Sequence, residues 1–465
     1  MIECVAALRT LNGYYMDKSR GEFTSRTGFI MAAAGSAVGL GNIWGFPTQA
    51  ASNGGGAFLL VYLLLAFFLA YPVLMAELII GRHAHANAVT SLQAISSNMI
   101  FKKLGKFTGT IGFITAGLIL SFYAIVGGWM AAHSIASGLD LFLQLDNLSF
   151  LTEFGELRNA IFMIFFMLLT IAIVSAGVAE GIERWSTRLM PILIITMFLL
   201  SGYVLTLDGA LDGLRAYLIP DVSALASPSL IIDALGSAFF SLSLGVGTML
   251  IYGSYLKDDE NLPVTGSLVT LVDVSIAVLA GFLILPAMYV ALNNGVDIFA
   301  SDGSLISEDT LIFSVLPSLF ESMDFSGKII SFTFFSLMLV AALTSAISML
   351  EVPVAYAIEE IEITRKQAVL LSGSLIGAFS LLIVINFHHL FGLVVTLTTR
   401  FAQPLLGMVM CFYVAWVWQR ASVLQEIRKG NPQAEESIFW KVWPLHVKFF
   451  CPIIILMIFL QGALR

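Results

Sequence analysis

The segment GSAVGLGNIWG at residues 35–45 is apolar, yet it contains four glycines, a serine and an asparagine. Glycine in a helix interior costs about 1 kcal/mol relative to alanine, so this composition predicts a local unwinding. Unwound carbonyls need partners in apolar surroundings, and backbone oxygens are ligands that a hard cation such as sodium accepts. Free amides at a helix N-terminus attract a carboxylate. The segment therefore predicts a site for a cation and a carboxylate, the alternative being a Gly35-x-x-x-Gly39 packing motif.

A second group of candidate ligands lies in the apolar run 328–357. Ala341, Thr344, Ser345 and Ser348 recur at intervals of three and four residues, which places them on one face of a helix. Their oxygens could bind a cation, or the hydroxyls could bond to carbonyls of their own helix. Beside an interrupted first segment, the ion site is the favoured interpretation.

A third candidate is Asp273, the single charged residue of the apolar run 266–292. A carboxylate inside a membrane is costly and is usually functional. The alternative is a structural hydrogen bond to a neighbouring helix. A role in binding a cation is favoured.

Membrane-spanning helices are the elements that would position these residues. Of 465 residues, 58% are hydrophobic and only 12% are charged, and the mean hydropathy is +0.91, which excludes an ordinary soluble domain. Lys and Arg concentrate in the segments that are cytoplasmic if the N-terminus is inside, so we expect a cytoplasmic N-terminus and an outside C-terminus. Apolar runs of sufficient length predict eleven spans, at 27–50, 56–81, 109–138, 158–178, 189–207, 229–255, 266–292, 328–357, 367–387, 391–418 and 446–464.

A similarity between two segments of the chain predicts how the spans are organised. VGLGN (38–42) in the first span corresponds to LGVGT (244–248) in the sixth. Matching interruptions five spans apart predict two five-span repeats of opposite orientation. The predicted segments are a cytoplasmic tail (1–19), a first repeat (20–207), an extracellular loop (208–228), a second repeat (229–418) with an extracellular capping segment (293–327), and a cytoplasmic loop with a last span (419–465).

The motif SRTGFIMAAAGSAVGLGNIWGFPTQAASNGGGAF (25–58) resembles the first-helix signature of the neurotransmitter:sodium symporter family. AFFSLSLGVGT (238–248), LTSAIS (343–348) and FYAIVGGW (122–129) follow the family pattern in their own positions. The resemblance covers residues 20–464. It implies an all-α membrane protein with the LeuT fold, eleven transmembrane helices, a 5+5 inverted repeat and broken helices 1 and 6.

The resemblance also implies two sodium sites, in which backbone carbonyls are combined with short polar side chains and the carboxylate of the substrate. The first site would comprise Ala37, Asn42, Ser241 and Asp273. The second would comprise Gly35, Val38, Ala341, Thr344 and Ser345.

A substrate pocket and gates follow from the same resemblance. The pocket residues would be Leu40, Gly41, Ile119, Tyr123, Phe240, Ser241, Ser243, Val246, Ser345 and Met349. Tyr123 and Phe240 would form the outer lid, and Arg20 and Glu359 an inner ion pair. Relatives that carry monoamines have an aspartate at the position of Gly39, so glycine here implies a substrate with its own carboxylate. Val246 replaces a phenylalanine of the leucine transporter, which leaves room for a larger side chain.

The function implied is sodium-coupled uptake of a neutral, hydrophobic or aromatic α-amino acid by alternating access, and not an enzymatic activity. The alternative is an amino-acid sensor or a gated ion channel with the same fold. Ser237 and Ala277 stand where chloride-dependent relatives have glutamine and serine, so we expect no chloride requirement. We expect a monomer or homodimer in the plasma membrane, with the lipid bilayer and an amino acid as partners and no nucleic acid.

Arg400 and Glu351 lie at membrane depth, with mutual or backbone pairing as the default.

Overall fold

The computed structural model describes residues 21–145, 148–298, 305, 311–321 and 323–463. Among these residues, nine helices are long and apolar enough to cross a membrane, and a bent pair would make a tenth. The principal helices in chain order are α1 (Arg26–Ala37), α2 (Gly41–Ser52), α3 (Gly56–Ala84), α4 (Ala88–Ala94), α5 (Met99–Leu143), α6 (Glu156–Ser175), α7 (Val178–Val204), α8 (Ala210–Leu218), α9 (Pro228–Ser241), α10 (Thr248–Ser254), α11 (Leu262–Asn293), α12 (Leu311–Glu321), α13 (Asp324–Glu360), α14 (Arg365–Ile385), α15 (Phe387–Val417), α16 (Arg420–Arg428) and α17 (Ile438–Met457).

The helical membrane fold expected from the sequence is confirmed. The first predicted span corresponds to α1 and α2, which bend by 56° at their junction. The sixth corresponds to α9 and α10, which are separated by residues 242–247. Both interruptions fall where the glycine-rich sequences predict them.

Helix α5 extends well beyond its predicted range of 109–138 and covers Met99–Leu143. A helix of this length measures about 68 Å, whereas the hydrocarbon core of a bilayer is about 30 Å thick. The helix begins early because Asn98 caps it through a bond from the Ile100 N–H, 2.9 Å long. Lys102, Lys103 and Lys106 then continue it, since lysine is a good helix former.

Large apolar side chains cover the outside of the bundle. Phe68 and Leu199, on α3 and α7, are 63% and 70% exposed. Leu168 on α6 and Leu375 on α14 are exposed as well. Such a continuous apolar surface is unfavourable in water and is the surface that lipid chains cover.

The break between α9 and α10 depends on left-handed backbone. Gly245 and Gly247 both have φ of +83°, and Ser243 has φ of +52°. The hydroxyl of Ser243 donates to the carbonyl of Ser36, 3.0 Å away, which holds this unusual conformation against the first break. The Gly245 N–H donates to Oε1 of buried Glu77 at 2.6 Å. The two breaks are therefore in direct contact.

The start of α1 is fastened to α7 by Glu183, which is almost fully buried. Its carboxylate accepts bonds from the N–H and hydroxyl of Thr24, both 2.7 Å long. It also accepts from the N–H and hydroxyl of Ser25, at 3.2 and 3.0 Å. A negative charge at a helix N-terminus is further favoured by the helix dipole. Glu183 therefore links this helix end to α7 through four hydrogen bonds.

Glu351 does not pair with Arg400, so the mutual pairing offered as a default is wrong. Glu351 is fully buried on α13 and receives two bonds from Arg365, 3.0 and 2.6 Å long. The Tyr255 hydroxyl donates a third bond of 2.6 Å. Arg400 is exposed instead. Arg365 reaches Glu351 because the chain turns back between α13 and α14.

A buried ion pair fixes α16 to the end of α3. Both Arg82 and Glu426 are almost fully buried, and Arg82 Nε lies 2.7 Å from Glu426 Oε1. Lys429 Nζ lies 3.0 Å from Glu426 Oε2, and His83 Nδ1 lies 3.2 Å from the same oxygen. Burial opposes ionisation of Glu426, but the hydrogen bonds from His83 and Arg82 and the charge of Arg82 outweigh it and lower its pKa to about 2.

Glu426→Gln is expected to destabilise the protein by about 3–5 kcal/mol, because it leaves the buried Arg82 charge without its counter-ion. The pKa of Glu426 is lowered by folding, so its contribution is present above about pH 4.5 and is lost as the pH falls towards 2. The measurement is the thermal unfolding midpoint in detergent. Glu435→Gln is the control, since it removes an exposed pair with Arg428 worth about 0–1 kcal/mol. Equal midpoints for the two variants would contradict the assignment.

Candidate functional site

A cavity lies between the two helix breaks at the centre of the bundle. The first break, α5, the second break, α13 and α15 each supply part of its wall. The lining residues are Ser36, Ala37, Gly39, Gly41, Ile119, Tyr123, Phe240, Ser243, Val246, Ser345, Met349 and Gln403.

Most residues predicted for a substrate pocket line this cavity. Leu40 and Ser241 do not line it, but Leu40 contacts Tyr123 and Ser241 contacts Asp273. The sequence analysis omitted Ser36 and Gln403. Gln403 could have been noticed because an amide side chain is unusual within the apolar run 391–418.

One end of the cavity presents hydrogen-bond donors. The Leu40 N–H donates to the hydroxyl oxygen of Tyr123, 2.9 Å away. Leu40 immediately precedes α2, so this amide belongs to a helix N-terminus in the middle of the bundle. An amide, a phenolic O–H and a helix dipole together form a suitable environment for a carboxylate.

The residues predicted for the first sodium site form one buried cluster. Asn42 Nδ2 donates to Asp273 Oδ1 at 2.7 Å, and the Ser241 hydroxyl lies 2.8 and 2.7 Å from the two carboxylate oxygens. Asn42 Oδ1 is buried and has no hydrogen-bond partner among the described residues. Ala37 lies on the adjoining cavity wall. Carboxylate, amide and hydroxyl oxygens around one point are donors that an alkali cation accepts.

The residues predicted for the second sodium site lie where α1 meets α13. The Ser345 hydroxyl donates to the carbonyls of Gly35 and Ser36, at 3.2 and 3.0 Å. The Thr344 hydroxyl donates to the Ala341 carbonyl of its own helix at 3.0 Å. The Thr344 bond is the local kind that the alternative interpretation expects, the Ser345 bonds cross to the neighbouring helix, and the role of these hydroxyls in binding a cation stays a prediction. Val38 ends α1 beside them, with ψ of 89°.

Close packing of the two helices at this point depends on Gly35. A methyl group added there would lie 3.2 Å from Thr344 Cβ. A side chain at position 35 would therefore crowd the contact between α1 and α13.

If the predicted second sodium site forms here, Thr344→Ala is expected to raise the sodium concentration for half-maximal binding about tenfold, because it removes one oxygen ligand without changing the helix. The measurement is a sodium titration. Thr333→Ala is the matched control, since its hydroxyl also bonds within α13, to Ile329 at 2.6 Å, but faces outward. An unchanged sodium curve in Thr344→Ala would remove this residue from the site.

The predicted gates are only partly described. Phe240 packs against Gly41, where an added methyl group would lie 2.6 Å from its ring, and so stands beside Tyr123 at the cavity. Glu359 accepts bonds from the N–H and side-chain amide of Asn87, at 2.8 and 2.9 Å. Arg20 lies outside the described residues. The inner ion pair therefore stays a prediction.

Comparison with known proteins identifies the family. The model of the sodium:neurotransmitter symporter family matches residues 20–145 and 139–465. The chain belongs to this family. Its membership makes it a multi-pass membrane protein of a sodium-dependent transporter family, and not an enzyme.

Two of the similar proteins span nearly the whole length of this chain, and a third spans a little over half of it. The uncharacterized sodium-dependent transporter YhdH of Bacillus subtilis is 35% identical, with 95% of this chain and 97% of the relative aligned. The mouse sodium-dependent neutral amino acid transporter B(0)AT2 is 25% identical over 59% of this chain and 41% of its own length. Among solved structures, MhsT in complex with L-phenylalanine matches with a TM-score of 0.84 and 35% identity, covering 95% of this chain and 100% of MhsT.

Proposed function

We propose that the protein is a sodium-coupled symporter for a neutral, hydrophobic or aromatic α-amino acid, working by alternating access. The observation that carries this proposal is the meeting of two interrupted helices at one cavity, with the Leu40 amide bonded to Tyr123 of the cavity wall and the Asp273 cluster beside it. Interrupted helices at the bilayer midplane supply the dipoles and free carbonyls that ions and zwitterions need.

The substrate class follows from the cavity wall. A methyl group added to Gly39 would lie 2.4 Å from the Tyr123 hydroxyl, so the protein has no room for an acidic side chain of its own there. The substrate must bring the carboxylate. Ile119, Val246 and Met349 make the remaining wall apolar. The complex of the related MhsT with L-phenylalanine supports an aromatic amino acid.

Two sodium ions would be co-transported. The first would use Ala37, Asn42, Ser241 and Asp273, and the unpaired Oδ1 of Asn42 is its available ligand. The second would use the group around Gly35 and Thr344. Buried Asp273 supplies a negative charge next to the first ion, so we propose that chloride is not required.

The proposed orientation places the start of α1 in the cytoplasm and the C-terminus outside the plasma membrane. It rests on the concentration of Lys and Arg in the segments facing the cytoplasm. The 1–19 tail, the two repeats and a monomeric or homodimeric state belong to the same proposal.

The test is uptake of each neutral amino acid into proteoliposomes. We expect the amino acid to accumulate when an inward sodium gradient is present. An inside-negative potential should enhance this accumulation, and replacement of chloride by gluconate should leave it intact. Equal accumulation in potassium would refute sodium coupling, and loss of uptake in gluconate would refute chloride independence. Binding without uptake would indicate a sensor, whereas ion currents without amino-acid accumulation would indicate a channel.

A further inference from the structure

We infer that Gln403 selects aromatic amino acids whose ring carries a hydrogen-bond donor, such as an indole N–H or a phenolic O–H. The inference rests on the proposed function and specifies its substrate class. Gln403 lies within α15, directly after a π-helical segment at Thr396–Ala402 and before Pro404. A π-helical turn next to a cavity is a frequent feature of functional sites.

The orientation of the Gln403 amide is fixed by a neighbouring backbone group. Its Nε2 donates to the carbonyl of Leu244, 3.2 Å away. A carbonyl can only accept, so the nitrogen must face it and the side-chain oxygen must face elsewhere. Gln403 Oε1 is buried and has no hydrogen-bond partner among the described residues.

The backbone of Gln403 is also restrained, because it packs against the break between α9 and α10. Its backbone oxygen would lie 2.2 Å from a methyl group added to Gly245, so the interrupted α9–α10 backbone packs directly on α15. The side chain is only 2% exposed and lines the cavity. The amide oxygen is therefore held at a defined place in the wall.

The other polar side chains of the cavity wall are already engaged. The hydroxyls of Ser243 and Ser345 donate to backbone carbonyls, and the Ser36 hydroxyl donates to Ser348 at 2.7 Å. The Tyr123 hydroxyl accepts from Leu40 at the carboxylate end. Among the described wall residues, Gln403 Oε1 is thus the buried side-chain polar atom that has no hydrogen-bond partner.

A buried acceptor without a donor is unfavourable, so a substrate that supplies one is preferred to an equally large substrate that does not. Gln403 adjoins Leu244, Gly245 and Val246, whereas Leu40 and Tyr123 mark the carboxylate end. The donor is therefore expected on the substrate side chain. Apolar Ile119 and Met349 complete a wall that suits an aromatic ring.

The experiment compares isosteric substrate pairs in sodium-driven proteoliposome uptake. Tryptophan is paired with 3-benzothienylalanine, in which sulfur replaces the indole N–H, and tyrosine with 4-fluorophenylalanine. The wild-type protein is expected to prefer the donor-bearing member of at least one pair by about tenfold in apparent affinity. Which pair shows the preference identifies the ring.

Gln403→Met keeps the length of the side chain and removes the amide. We expect it to reduce the preference for the donor-bearing substrate to within about twofold, because the amide oxygen that accepts the bond is removed. If the wild-type protein has nearly equal apparent affinity for the two members of each substrate pair, the inference is overturned and no variant is needed. An unchanged ratio in Gln403→Met, or an equal loss for all substrates, would also overturn it. Failure of the proposed function is distinct, because phenylalanine itself would then show no sodium-driven uptake.

Discussion

Gly39→Ala is expected to reduce amino-acid uptake at least about 100-fold while leaving the fold intact. The added methyl group would lie 2.4 Å from the Tyr123 hydroxyl and 2.6 Å from the Ser345 hydroxyl. Neither neighbour can move freely, because Tyr123 is bonded to Leu40 at 2.9 Å and Ser345 to the Ser36 carbonyl at 3.0 Å. The methyl group would occupy the space between the carboxylate end of the cavity and the second ion site.

Gly45→Ala is the matched control for this substitution. Gly45 lies six residues further on, in α2, and a methyl group added there meets no atom within 4 Å. Uptake by the Gly45→Ala variant should stay within about twofold of wild type, since alanine is a better helix former than glycine. Uptake and the thermal midpoint are measured for both variants. Near-normal uptake in Gly39→Ala would show that the substrate does not bind between Tyr123 and Ser345.

Asp273→Ala is expected to abolish sodium-driven uptake, with a loss of at least about 100-fold in apparent sodium affinity. The substitution removes the negative charge beside the proposed cation and the acceptor of the Asn42 and Ser241 side chains. Unpaired polar groups in the core of the bundle then add to the loss. Asp273→Asn keeps one acceptor oxygen, so a smaller loss, about tenfold, is expected.

The control is Asp140→Ala, which also removes a carboxylate from a spanning helix, but from a position near the end of that helix. Asp140 is partly exposed and pairs with Lys328 at 2.5 Å, and such a pair contributes about 0–1 kcal/mol. Sodium affinity is measured as the concentration for half-maximal uptake. An Asp273→Ala protein with the wild-type sodium curve would restrict Asp273 to a structural role.

The helix breaks could be predicted because their cause is local. The glycines of the first span and the left-handed positions Gly245 and Gly247 are visible as residues, and the cost of glycine in a helix does not depend on distant partners. Asp273 was recognisable for a similar reason, since a lone charge in an apolar run is costly wherever it packs.

Partners brought together only by packing could not be predicted in the same way. Arg365 is near Glu351 in sequence, but its choice of partner depends on the turn between α13 and α14. Gln403 meets Leu244 across 159 positions, and Thr24 meets Glu183 across the same separation. Their roles depend on which helix faces are adjacent, and hydropathy does not specify this.

The hydrogen bonds between Glu183 and the start of α1 bear on how tightly ion movement is coupled to substrate movement. This helix has twelve residues and is joined to the rest of its span by the non-helical pair Val38 and Gly39, so it is a rod about 18 Å long that ends at a break in the span. Opening the path from the ion sites by swinging this rod would require the four bonds at Glu183 to part together. A premature swing would let ions slip through without cargo. The tightness of coupling, and hence the energetic efficiency of the carrier, would then depend on one carboxylate far from any bound molecule.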